Sequence, residues 1–209
     1  MNNLIRKAAI LILITIFYNI AEGIISVWFG AGDETLALLG FGVDSFVEVF
    51  SGIGIAHMIF RMKYSKVQTR DEFERTALKV TGTAFYLLTA GLLIGSVLNI
   101  IHKVKPETTL PGIIIASVSI ATMYWLMTSK LKVGKALNSD AMIADANCTK
   151  TCFYLSFILL VSSGLYELFS IAYFDILGSL GIAYFAFREG KESFEKAKSD
   201  KLLCNCEHS

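Results

Sequence analysis

Two short motifs carry the residues best suited to chemistry. Asp44-Ser-Phe-Val-Glu48 and Cys148-Thr-Lys-Thr-Cys152 each place two metal-binding side chains one helical turn apart, in stretches apolar enough to cross a bilayer. A carboxylate in hydrocarbon is costly, so one found there faces a cavity, a partner or an ion pathway. Two carboxylates and two thiols supply donors enough for one four-coordinate site for a borderline or soft divalent metal. Asp44, Glu48, Cys148 and Cys152 are the candidate metal ligands. The chemistry they suggest is carriage of a metal ion, with the ion as cargo, no prosthetic cofactor and no enzymatic step.

Other residues could support them. Asp145 lies on the same helical face as Cys148 and Cys152, at i, i+3 and i+7. Asn19, Glu22 and Ser26 form a polar stripe at the same spacing on the first apolar segment. Glu22 is open to several readings: a proton carrier, an outer partner of the ligands, an inter-helix hydrogen bond, or a counter-ion for Lys150. The tail residues Cys204, Cys206 and His208 are dense enough in donors to load or sense metal, or are incidental. A thiol alone is weak evidence, because free cysteine often packs as a small hydrophobe. The two acids of the second segment single the pair out.

The elements that must hold these residues are helices in a membrane. The chain of 209 residues is 54% hydrophobic and 18% charged, with a mean hydropathy of +0.57. Soluble domains reach about 45–50% apolar only with glycine counted. Six apolar segments, Ala8–Phe29, Leu36–Phe60, Ala77–Ile101, Leu110–Thr128, Ala141–Leu168 and Ile171–Phe187, each reach the roughly 17 residues that a spanning helix needs, the fifth running past the usual upper end of about 25. The predicted fold is all-α and integral to the membrane, with six transmembrane helices over residues 1–190 and a short cytoplasmic tail over 191–209. The first segment is too long for a signal-peptide core. The net charge of +1 says nothing about nucleic acid, and no basic run is dense enough to suggest it.

Positive charge sets the expected topology. Arg6 and Lys7, the link Arg61–Glu74, the link Ser129–Ser139 with Lys130, Lys132 and Lys135, and the stretch after Phe187 fall on one side. Lys103 and Lys105 fall on the other. Both termini are therefore expected in the cytoplasm, and the membrane is the plasma (inner) membrane if the source is prokaryotic.

In this order the residues resemble the cation diffusion facilitator family. Gly42-Val-Asp44-Ser-Phe-Val-Glu48 is similar to the family's acidic pair on the second helix. Ser139-Asp-Ala-Met-Ile-Ala-Asp145-Ala-Asn-Cys148-Thr-Lys-Thr-Cys152 is similar to its fifth-helix motif, and Phe174–Ala183 with Arg188-Glu-Gly190 to its last helix and exit. The resemblance implies six helices with both ends cytoplasmic. It also implies metal/proton antiport exporting a zinc-like cation, and a homodimer. Two departures matter. Cysteines stand at the family's His and Asp positions, which implies zinc held by thiolate or a softer preference extending to cadmium, with cobalt and iron also open. A Thr-x-x-Cys step, Thr149 to Cys152, favours Cys152 over Cys148 as the ligand. The family's cytoplasmic ferredoxin-like domain is missing, so pairing would rest on the membrane helices. The competing readings are a membrane thiol oxidoreductase using Cys148 and Cys152, and a metal sensor that does not transport.

Overall fold

A computed structural model describes residues 2–33, 35–64, 72–137 and 140–199. Every element in it is helical: α1 (Asn2–Gly32), α2 (Leu36–Tyr64), α3 (Glu72–His102), α4 (Leu110–Leu137), α5 (Asp140–Phe169) and α6 (Tyr173–Lys198). The six expected helices are present, each longer than its apolar segment. Five contain stretches long and apolar enough to cross a bilayer: Arg6–Gly32, Leu36–His57, Glu72–His102, Leu110–Leu137 and Asp145–Phe169. The sixth is shorter in its apolar part, bounded by the charges that follow Phe187. The Cys204, Cys206 and His208 cluster lies outside the described residues.

The burial pattern is that of a bundle solvated by lipid. Trp28 is 77% exposed and Leu168 is 78% exposed, and Phe17, Leu87, Ile94 and Ile114 also face outward. Meanwhile Asn19, Glu22, Ser26, Asp44, Lys130 and Asp145 are buried. Helices satisfy their own backbone groups and can show apolar side chains to lipid, so polar side chains are what must turn inward.

The tightest pairs are α1 with α2, α3 with α6, and α4 with α5, and α2 also touches α3, α5 and α6. The helix bearing Asp44 and Glu48 is thus enclosed by neighbours. Its approach to α1 depends on Gly42. A Cβ there would sit 2.8 Å from both the Ser26 Cβ and the Val27 backbone nitrogen, which no real side chain tolerates. That close approach brings Asn19 of α1 against Glu48 of α2.

At the end away from the chain termini, acids close the helix starts. Asp175 of α6 accepts the Leu36 N–H at 3.0 Å and the Ala37 N–H at 3.3 Å, at the first turn of α2. Glu167 of α5 does the same for α4, accepting from the Thr108 and Thr109 hydroxyls at 2.9 and 3.1 Å and from the Thr109 N–H. Helix N-termini leave unsatisfied N–H donors and a partial positive charge, and a carboxylate answers both. Between α5 and α6 the chain turns through Ser170 in the left-handed region, φ 54°. Asp175→Ala is expected to strip two buried donors of their acceptor and cost about 1–3 kcal/mol. A fall in the unfolding midpoint in detergent checks it, and Asp175→Glu should fall less.

Candidate metal centre

The site begins with the rotation of α2. Burial of Phe41, Val47 and the face between them turns Asp44 inward, leaving it 3% exposed. Glu48, one turn on, is partly buried on the same face. The corresponding face of α5 buries Cys152, 5% exposed, among Met123, Leu126 and Met142. The two helices meet where the Cys152 thiol donates to Glu48 Oε1. The other carboxylate oxygen, Oε2, accepts from Asn19 Nδ2 at 3.0 Å. One acid therefore joins α1, α2 and α5 at mid-span.

Asp44 completes the centre electrostatically. It lies within interaction range of Glu48, Glu22, Glu189 and Cys152. Asp44 Oδ1 and Asn19 Oδ1 are buried with no hydrogen-bond partner among the described residues. Buried oxygens with uncommitted lone pairs are atoms that a cation could use. Cys148 stands one turn from Cys152, and its carbonyl oxygen is 3.5 Å from the Cys152 sulfur. Among the described residues no three His, Cys, Asp or Glu side chains stand together as a formed coordination group. The Glu48 oxygens are engaged by a thiol proton and an amide.

The accessory residues separate. Asp145 pairs with a cation of α4. Its Oδ2 lies 2.9 Å from Lys130 Nζ, a charge pair rather than an aligned hydrogen bond. The same ammonium donates to Thr149 Oγ1 at 2.9 Å. This corrects the expectation that Ser129–Ser139 is a link. α4 continues to Leu137, and Lys130 is a fully buried residue inside it. The Asp145 charge across the helix pair holds the ammonium there. Lys130 accordingly drops out of the loop charges that argue for topology.

Glu22 is buried, 6% exposed, and is not paired with Lys150. Lys150 is exposed and sits over the Tyr154 ring, 5.7 Å from its centroid. Glu22 accepts instead from the Tyr18 hydroxyl at 2.9 Å and the Ser45 hydroxyl at 3.0 Å. Tyr18 lies one turn before Glu22 on α1. Ser45, beside Asp44, was hidden among the apolar residues of α2. Glu189 of α6 was also missed: it accepts from Thr151 Oγ1 at 2.9 Å, next to Cys152, and is in electrostatic range of Asp44 and Glu48. Its signal was an acid placed soon after the last apolar segment.

Residues 8–200 match the family described as the cation efflux transmembrane domain. No individual curated protein matches the chain. The match spans nearly all of the described helices, including both halves of the Glu48–Cys152 contact, and makes the chain a multi-pass integral membrane protein of a kind that moves metal cations. This chain belongs to the cation efflux transmembrane domain family.

Proposed function

We propose that the protein is a metal/proton antiporter that exports zinc-like or softer divalent cations from the cytoplasm, with Asp44, Glu48 and Cys152 as the principal ligands and Cys148 as the fourth donor. The observation that carries this reading is the Cys152 thiol donating to Glu48 across the α2–α5 interface. A thiol and a carboxylate in contact hold a proton between them. A divalent metal needs the thiolate and the carboxylate, so it binds only as the proton leaves. One set of atoms takes metal or proton, and alternating access of that set to the two faces couples the flows. Mixed oxygen and sulfur donors favour zinc and cadmium over hard cations. A thiol oxidoreductase would leave Asp44 and Glu48 without a role.

The test is flux into proteoliposomes loaded with a metal-sensitive dye, with and without a pH gradient, for Zn, Cd, Co and Fe(II). Wild type is expected to move Zn and Cd, faster with protons flowing the opposite way. Cys152→Ser exchanges a soft donor for a hard one and is expected to cut Cd flux by at least about tenfold, and Co flux by less. Cys148→Ser should do less than Cys152→Ser for every metal. Flux indifferent to the pH gradient would overturn antiport. An unchanged metal profile in Cys152→Ser would remove the thiol from the site.

A further inference from the structure

Glu22 has no place among the proposed metal ligands, yet the structure surrounds it with hydroxyls from its own helix and from neighbouring ones. Tyr18 of α1 donates to Oε1 and Ser45 of α2 to Oε2. Ser119 of α4 adds a third hydroxyl. Ser119 in turn lies 2.9 Å from Ser156 of α5, whose hydroxyl also reaches the Cys152 carbonyl at 2.8 Å. No Lys, Arg or His pairs with Glu22 among the described residues. An ionised carboxyl buried without a cation is expensive, and the cost is escaped by taking a proton where the surroundings can also accommodate the neutral form.

These surroundings can. A hydroxyl is both donor and acceptor, and its proton rotates to suit. Ser45 Oγ has two acceptors in reach, Glu22 Oε2 at 3.0 Å and the Phe41 carbonyl at 3.1 Å, but only one proton to give. With Glu22 ionised, Ser45 donates to it. With Glu22 protonated, Ser45 turns its proton to Phe41 and accepts from the new carboxyl O–H. Ser156 has the same choice between Ser119 and the Cys152 carbonyl. Neither protonation state need leave Ser45 or Ser156 unsatisfied, and the exchange requires only hydroxyl rotation.

We infer that Glu22, with Tyr18, Ser45 and Ser119, forms a proton-binding site distinct from the metal ligands, and that it gives up its proton as a divalent cation enters beside it. The inference rests on the antiport reading for its role in transport, but not for its chemistry. The titratable groups facing Glu22 are Tyr18 on α1, Asp44 and Glu48 on α2, and Cys152 on α5, while α4 contributes hydroxyls. A cation bound between Asp44, Glu48 and Cys152 lies on the side of these groups and favours the ionised carboxyl. The balance is simple: the carboxyl O–H bond breaks, the proton leaves to water, and one negative charge remains to offset the metal. The Glu48–Cys152 pair gives up the other proton.

The experiment uses the full chain in detergent and counts protons released per Zn ion bound, by calorimetry in buffers of different ionisation heat. Saturating metal makes the count independent of affinity. Glu22→Gln is expected to release about one proton fewer per ion than wild type, and Glu22→Asp to restore it. An unchanged count in Glu22→Gln would overturn the proposal. A second readout needs no metal. Infrared difference spectra on changing pH should show a protonated carboxyl band in wild type that is absent in Glu22→Gln and shifted in Tyr18→Phe. Absence of that difference would overturn the site even if Zn binds. If wild type binds no Zn while the band behaves as stated, the antiport reading fails and the proton site stands.

Discussion

Asp44→Asn is expected to reduce Zn flux in proteoliposomes by at least about a hundredfold, because in the proposed site it removes a charged donor to the ion, where even outer partners are worth roughly 10–100-fold in metal affinity. The change is nearly isosteric and falls at a carboxylate whose Oδ1 has no hydrogen-bond partner among the described residues. No cross-helix bond is lost. It also removes one negative charge from a cluster that includes Glu48, Glu22 and Glu189. The folded protein should therefore keep its unfolding midpoint or gain slightly, while flux disappears. That separation is the informative result. If Asp44 served only to pack α2, the amide would serve as well and flux would survive. Normal flux in a folded Asp44→Asn protein would remove the acid from the pathway and with it the main support for the proposed function.

What could be read from the sequence was what a single helix encodes. The i, i+3, i+7 spacing of Asn19, Glu22 and Ser26 puts them on one face, and all three are buried. Asp44 and Glu48 share a face of α2 by the same periodicity, and Cys152 is buried on α5. Contacts between helices were harder, because they depend on rotation and tilt that the pattern does not specify. Thus Asp145 looked like a neighbour of the cysteines, sharing their face, whereas its charge is matched by Lys130 from α4. Lys130 looked like a loop residue because a lysine ends an apolar run in any hydropathy window. Its burial could have been suspected from the reverse direction: an acid in an apolar helix asks for a cation, and α5 begins only a few residues after α4 ends. Asp175 and Glu167 are similar, since a helix cap supplied by another helix leaves no local sequence signature.

Lys130 gives the second large effect. It is wholly buried, with its ammonium 2.9 Å from both Asp145 Oδ2 and Thr149 Oγ1. Lys130→Met keeps most of the volume and removes the charge. Asp145 is then a buried carboxylate without its cation, and breaking such a pair from one side costs about 3–5 kcal/mol. A large drop in the unfolding midpoint in detergent is the expected reading, with Asp145→Leu alone comparably harmful. The double variant Lys130→Met/Asp145→Leu should recover most of the loss, since replacing both partners by apolar groups is often neutral or better. Recovery would show that the pair fastens α4 to α5 and that each charge is there for the other. It carries a functional consequence too. If the Asp145 carboxylate is committed to Lys130, the double variant should still move Zn, because Glu48 and Cys152 remain. A double variant that folds as well as wild type but carries no metal would instead return Asp145 to the set of residues that handle the ion.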